Sequence, residues 1–503
     1  SYQIFCNNRN IFGLILLKHG IFTFGDSAKE SYDRMIRLVS IAEKKINKNS
    51  NKIISKKTTY KNLNQKVKKN IFPLIRKHLS TKENNGSYTK WTLDLRSNNK
   101  ILNYLNHSKL SFFSQKGPIT PDHVIRIKPK PLILNLSDTK KEKLDNLIGK
   151  EIQKFKKNYH KYFLKNKKYV IKPKELDLNP RLLLIPNLGI IGIGRTKKEA
   201  SIASDLAECT VDVISKAESI GKFRSIPDKE IFKVEYWPLE QAKLKNLKRK
   251  DFTGHITVIS GGCGAIGLST ALEFNKEGSE VVLLENNSKN IELAPDEIKK
   301  FAKIIKCNVT NPIEVKKAFL DICKAYGGVD ILVSNAGAAW QGEIGKVSKQ
   351  IIKESFDLNF YAHQYLSQEC IKIMLQQNTG GVLLYNISKQ SINPGVNFGP
   401  YGLPKASTLF LMRQYTLEYG KHSIRANAIN ADRIRSGILN NSLIKSRAKA
   451  RNVSEADYMS GNLLKTEVLA QDVAKAFVSL AKAKKTTGNV LTVDGGNISA
   501  VLR

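Results

Sequence analysis

Cysteine, tryptophan, methionine and acidic residues are all scarce in this 503-residue chain. The six cysteines (Cys6, Cys209, Cys263, Cys307, Cys323 and Cys370) are scattered without CxxC spacing. That excludes a zinc ribbon and a disulfide framework and suits a reducing compartment. No apolar run reaches the roughly 18–20 residues that cross a bilayer. No charged-then-apolar leader opens the chain, which starts Ser-Tyr-Gln rather than with methionine. These absences predict a soluble cytoplasmic protein with no membrane partner, whose first residue is not the natural start. With 41% hydrophobic and 25% charged residues, disorder throughout and collagen-like repetition are also excluded. Asp and Glu number 44 against 83 Lys and Arg, a net charge of +39. About +31 of it falls in residues 1–250 and about +8 beyond. A basic half can serve nucleic acid or an anionic surface. Here the lysines sit among Asn and Ile, as in Ile46-Asn47-Lys48-Asn49, without interleaved aromatics. They read as solvated surface, and no nucleic-acid partner is expected.

The length fits two or three domains. Residues 14–43 and 183–212 repeat one pattern without a gap, placing Gly20 on Gly189, Gly25 on Gly194 and Glu30 on Glu199. Each reads as strand, turn, strand and helix, the helix opened by a capping box, Ser27-x-x-Glu30 or Thr196-x-x-Glu199. They are predicted to be copies of one domain type, the first lacking most of its N-terminal side. Residues 44–110 read as irregular with helical patches, 118–136 as a turn and strands, and 226–252 as a connector with a short helix. Residues 138–168 read as a basic helix with apolar positions Leu144, Leu147, Ile148, Ile152 and Phe155. From Gly254, β-branched runs alternate with helical stretches, the pattern of a parallel sheet covered by helices on both faces.

In this second half, the strand His255–Ser260 leads into Gly261-Gly262-Cys263-Gly264-Ala265-Ile266-Gly267 and a helix over Leu268–Lys276. Glycines there let the backbone turn sharply and approach a pyrophosphate, to which a helix N-terminus offers free amides. The next strand, Glu280–Glu285, ends in a carboxylate suited to ribose hydroxyls and repelling a 2′-phosphate, which favours NAD over NADP.

Asp330-Ile-Leu-Val-Ser-Asn335-Ala-Gly337, a helical Asn359, Tyr385-Asn-Ile-Ser388, Tyr401-Gly-Leu-Pro-Lys405 and Thr492-Val-Asp-Gly-Gly496 follow in order. With them, residues 254–497 resemble a short-chain dehydrogenase/reductase. The glycine turn is similar to that family's TGxxxGxG, Ser334–Gly337 to its NNAG and Tyr401–Lys405 to its YxxxK, with Ser388 at the usual serine spacing. The resemblance implies a Rossmann sheet and a catalytic tetrad of Asn359, Ser388, Tyr401 and Lys405. It implies a dinucleotide held by Ser260, Gly261, Cys263, Gly264, Ala265, Ile266, Gly267 and Glu285. Asn308, Val309, Asn335, Ala336, Gly337, Tyr401 and Lys405 complete the implied cofactor set. A phenol with its unperturbed pKa of about 10 is a poor base at neutral pH. An ammonium four residues on shares its helix face and is expected to lower that value. Tyr401 is then the general base in alcohol oxidation, or the acid in reduction. Ser388 is expected to bond the reacting oxygen, Lys405 to grip the nicotinamide ribose and Asn359 to hold a relaying water. Ala265 stands in place of the family's second glycine, Asn308 in place of an adenine-contacting Asp, and Ala431-Asp432 in place of Pro-Gly.

The run NADRIRSGI (430–438) marks one branch of that family, and the branch accounts for the first half. Residues 14–43 resemble the C-terminal end of class II (zinc) aldolases and adducin-like domains, with Lys18-His19-Gly20 at the motif that carries a metal-binding histidine. Residues 117–123, the second copy and Glu235–Lys243 resemble the bifunctional rhamnulose-1-phosphate aldolase/short-chain dehydrogenase proteins. Those cleave a phosphorylated ketose, and their dehydrogenase half handles the lactaldehyde released. Zinc wants three protein ligands. His19 is the candidate metal ligand; Leu188 replaces it in the second copy, and His123 reads as a turn histidine. Aldol cleavage by this chain is therefore not expected.

The fold class predicted is α/β: a C-terminal doubly wound parallel sheet preceded by a truncated class II aldolase/adducin-like region. The expected domains are 1–50, the end of an aldolase-like domain; 51–235, a basic connector and degenerate second unit; 236–253, a linker; and 254–503, the dehydrogenase. The expected activity is NAD-dependent oxidoreduction of a small hydroxyaldehyde or sugar-derived alcohol by a homo-oligomer. The alternative is an adducin-like scaffold with an idle dinucleotide-binding domain.

Overall fold

The computed structural model describes residues 2–8, 10–49, 63, 65–84, 86–137, 139–244, 249–437 and 439–497. Residues 51–62 of the Lys/Asn-rich stretch, 245–248 of the connector and Ile438 of the NADRIRSGI run lie outside the described residues. The chain divides into two units. One comprises Ser1–Lys68, Leu95–Ile193 and Ser201–Lys245; the other comprises Lys69–Asp94, Gly194–Ala200 and Asn246–Arg503. No described helix is long and apolar enough to cross a membrane.

The repeat seen in the sequence is a repeat of structure. β1 (Gly13–Leu16) and β2 (Gly20–Thr23) form an antiparallel hairpin with Leu16 opposite Gly20, and the helix Ala28–Asn49 follows. β3 (Thr92–Arg96), β4 (Leu132–Ile133), β5 (Leu182–Ile185) and β6 (Gly189–Gly194) form a sheet of order β3-β6-β5-β4. Its β5–β6 hairpin sets Ile185 opposite Gly189 and is followed by the helix Lys197–Ile220. The equivalent turn residues Lys18 and Asn187 both take left-handed backbone, φ 63° and 58°. Ser27 Oγ accepts from the Glu30 amide and Thr196 Oγ1 from the Glu199 amide, each at 3.2 Å. The returning carboxylates reach one residue further back than a standard box, to the amides of Asp26 (2.9 Å) and Arg195 (2.8 Å).

Two expectations for the first half are corrected. Residues 121–127 are a helix rather than a turn and strand: Thr120 caps it and Pro121 occupies its first turn, where a missing N–H costs nothing. His123 is accordingly a buried helix residue, its Nδ1 2.7 Å from Thr120 Oγ1. The stretch 44–110 is also more regular than its composition suggests, holding the helices Gln65–Leu79 and Asn99–Leu105 besides β3. The basic helix spans Lys141–Asn166 and buries Leu144, Ile148 and Ile152, one helical stripe against the core.

In the second unit, β7 (Ile256–Ser260), β8 (Glu280–Glu285), β9 (Ala302–Lys306), β10 (Ile331–Ser334), β11 (Gly381–Ser388), β12 (Ile424–Ala431) and β13 (Val490–Val493) form one parallel sheet. Its order is β13-β12-β11-β10-β7-β8-β9. Ile259, Leu283, Val333, Leu384 and Ile429 belong to one buried core. The chain runs outward from β7 through β8 and β9, then returns to β10 on the other side. Strand order therefore reverses between β7 and β10, and a crevice opens at the carboxyl ends there.

The amino ends are tied by a buried charge cluster. The Arg76 guanidinium, 2% exposed, donates to Asp330 Oδ2 (2.7 Å), Trp91 O (2.6 Å), Gln377 Oε1 (2.7 Å) and Gly254 O (3.1 Å). Lys90 Nζ lies 3.0 Å from Asp330 Oδ1.

Candidate active site

At the carboxyl end of β7 the chain turns through Gly261, whose φ of +60° suits glycine and where a Cβ would come within 3.0 Å of Ala336 Cα. The helix begins at Ala265, three residues earlier than Leu268, with Gly264 as its cap and no side chain bonded to its first amides. Ala265 and Ile266 lie in that first turn. Gly267 packs where a Cβ would run into the Gly261 and Gly262 carbonyls, so this glycine, and not position 265, is the one the fold requires. Glu285 is 8% exposed at the end of β8. It accepts from Cys263 N (3.3 Å), Asn286 N (3.1 Å) and Asn287 N (3.0 Å). The uncapped amides and this anchored carboxylate fit a dinucleotide. Burial pushes the Cys263 thiol up to about 11, which leaves it unreactive. Asn308 spends its Oδ1 on Thr310 N (3.1 Å) and Oγ1 (2.9 Å), and Val309 beside it is buried.

A chain of amides joins the three central strand ends. Ser260 Oγ accepts from the backbone of Asn335 (2.9 Å) and Ala336 (3.1 Å), and Asn335 Nδ2 donates to Ser260 O (3.1 Å). Asn386 Nδ2 donates to Asn335 Oδ1 (2.8 Å), and Lys405 Nζ donates to Asn386 O (2.9 Å). Asn359, fully buried, lies in a π-helical turn, Asp357–Tyr361, that interrupts its helix, a feature common at functional sites. Its Nδ2 donates to Ala338 O (2.8 Å) and its backbone carbonyl accepts from Thr408 Oγ1 (2.6 Å). A Cβ on Gly337 would sit 2.9 Å from Asn359 Oδ1 and 3.4 Å from Lys405 Nζ. That space is a cradle only glycine leaves open. Ser388 ends β11, and the helix Gly399–Tyr419 carries Tyr401 and Lys405. Ser388 lies close enough to Tyr401 to oppose the upward shift of its phenol.

The electrostatics differ from the expectation in one respect. Burial pushes the Tyr401 phenol up, with Ser388 opposing. Lys405 does not reverse this. Burial brings its own amine down to about 7, and Nζ lies 5.9 Å from the Tyr401 ring centroid while bonded to Asn386. Desolvation therefore outweighs the ammonium as the main influence on the phenol.

Three neighbours escaped the sequence reading. Asn386 lies two residues before Ser388 on β11, hence on the same face. His363 follows Asn359 by four residues, and its Nδ1 is 2.6 Å from Ser334 Oγ. Burial, with a smaller push from Lys405, holds this imidazole well below its ordinary pKa, so it is neutral. Lys389 pairs with Asp432, the residue standing where Pro-Gly is usual (Nζ–Oδ1 2.7 Å), and Asn497 Nδ2 donates to Asp432 Oδ2 (2.6 Å). Period-two and i+4 spacing were available signals for the first two; nothing local pointed to the third.

His19 is exposed in the β1–β2 turn, its ring stacked on Phe22. Among the described residues no group of three or more His, Cys, Asp or Glu could hold a metal. The described donors do not fit a zinc site.

Residues 66–244 match the family described as "Aldolase class II, second domain", and residues 262–497 match "Enoyl-(Acyl carrier protein) reductase". The uncharacterized oxidoreductase YuxG of Bacillus subtilis (strain 168) is 30% identical over 522 residues, covering 99% of this chain and 74% of its own length. Sorbose reductase SOU1 of Candida albicans (strain SC5314 / ATCC MYA-2876) is 27% identical over 48% of this chain and 86% of its own. The 7alpha-hydroxysteroid dehydrogenase of Escherichia coli (strain K12) is 26% identical over 49% and 94%. The chain belongs to the family of oxidoreductases that join a class II aldolase region to a short-chain dehydrogenase/reductase domain.

Proposed function

We propose that the second unit is an NAD-dependent dehydrogenase acting on a small hydroxyaldehyde of the lactaldehyde type or a sugar-derived alcohol. It would serve a deoxysugar-degrading, rhamnose-type route. The observation that carries this reading is the convergence of Asn359, Ser388, Tyr401 and Lys405 at the switch point, beside an uncapped helix end and the anchored Glu285. When bound, the nicotinamide takes or gives the hydride. Ser388 hydrogen-bonds the reacting oxygen, and Tyr401 takes or gives the proton at that oxygen. Lys405, held by Asn386, orients the ribose, and Asn359 clamps the Ala338 backbone that walls the cradle. The Lys389–Asp432 pair directly follows Ser388 in the chain, and charge placed there would suit a hydroxylated substrate over an apolar one. The described donors do not fit zinc, and this reading gives them no aldol step. The test is a panel of small hydroxyaldehydes and sugar alcohols with NAD and NADP at neutral pH; no turnover of any member would overturn the proposal.

Because burial raises the Tyr401 pKa, the phenol stays protonated through neutral pH. Carbonyl reduction, which needs the phenol, should not climb between about pH 6 and about pH 8, where the Lys405 amine also loses its proton, while alcohol oxidation, which needs phenolate, climbs with pH. Initial rates in both directions read this out; a level oxidation profile would contradict the assignment. Glu285→Gln removes the charge that repels a 2′-phosphate while sparing the side chain's shape. The preference for NAD over NADP in kcat/KM should narrow by about tenfold, the worth of a charge-assisted hydrogen bond. An unchanged ratio would count against the role of Glu285.

A further inference from the structure

We propose that the second unit binds a small polyphosphorylated anion in a cavity at the amino edge of its sheet, remote from the catalytic edge. The cavity measures about 890 Å³, within the range of small-molecule sites and more than one inorganic phosphate needs. It is bordered by Asp330 and Ile331 at β10, Gly381 and Val382 at β11, and Ile424 and Arg425 at β12. These are the strand starts, whereas Ser388 closes β11 at its other end. At roughly 3.3 Å per residue the two sites stand about 20 Å apart.

The lining is unusually one-signed. It holds nine Lys or Arg against three Asp or Glu, a ratio well above the 83 to 44 of the whole chain. The acids are mostly spent: Asp330 on Arg76 and Lys90, Asp251 on Lys482. Arg425 is occupied too, donating to the carbonyls of Leu480, Ala481, Ala483 and Thr486. Arg195 lies over the Trp91 ring, which leaves Lys82, Arg249, Lys250, Lys484 and Lys485 around one concavity with no ion pair among the described residues. Five like charges converging on one space repel one another, and a polyanion relieves that repulsion. His255 also lines the cavity, but its Nδ1 is shielded from solvent and burial brings its imidazole down to about 4, so it is neutral and the five cations carry the site.

The test titrates the full chain calorimetrically with pyrophosphate and with ATP at low salt. Expected is one site per chain that persists when NADH is saturating and weakens with added salt. The triple variant Lys250→Glu, Lys484→Glu, Lys485→Glu alters exposed side chains and should keep its melting temperature while losing at least about tenfold in affinity. Neutralising the same three to Gln should cost less. Failure of both anions to bind, affinity unmoved by charge reversal, or displacement by NADH would each overturn the proposal. So would an oligonucleotide that binds more tightly than ATP, which would make the patch a nucleic-acid surface.

Discussion

Tyr401→Phe should lower turnover in both directions by about 10²–10⁴-fold, the span of general acid–base catalysis, with dinucleotide affinity nearly unchanged. The substitution removes one hydroxyl and keeps the ring, so the packing of the helix Gly399–Tyr419 and the bond from Lys405 to Asn386 both survive. Under the proposed mechanism, what is lost is the group that exchanges a proton with the reacting oxygen. Calorimetric binding of NADH and a thermal melt separate this from a folding defect. Wild-type turnover in the variant would remove Tyr401 from the chemistry and the dehydrogenase proposal with it.

Asp330→Ala should destabilise the second unit by about 3–5 kcal/mol, because it strands the buried charges of Arg76 and Lys90. The melting temperature should fall by about 10 °C. Burial alone would raise the Asp330 carboxyl, but the charges of Arg76 and Lys90 outweigh it and hold the group well below the usual carboxylate range. A depressed folded-state pKa stabilises fully above the unfolded value of about 4 and progressively less as pH falls below it. Wild type and variant should therefore differ most at neutral pH and converge in acid. Equal melting temperatures at neutral pH would show that the cluster does not brace the sheet. Substituting Arg76→Met together with Asp330→Leu should cost less than Asp330→Ala alone, since one buried cation, Lys90, is then left without its carboxylate instead of two.

The features readable beforehand are those carried by a short stretch of chain. Strand β8 runs over Glu280–Glu285 as its apolar run predicts, and both hairpin–helix copies keep the register that the aligned glycines imply. The reading failed where neighbours in space are distant in the chain. Nothing near Arg76 or Lys90 announces Asp330, roughly 250 residues on, and the basic stretch that holds them looked like solvated surface. Helix 121–127 was missed because its signals, Thr120 and Pro121, also open turns.

Local chain chemistry sufficed for the element types of the second unit and of both hairpin–helix copies, the glycine turn, the Ser388–Tyr401–Lys405 spacing and the family. Periods of two and 3.6, caps and fixed spacings act over a few residues and need no partner. The direction of the Tyr401 shift, the neutral His363, the buried Arg76–Asp330–Lys90 cluster and the basic cavity were visible only once the chain was packed. Desolvation and charge pairing depend on which distant atoms exclude water from a site.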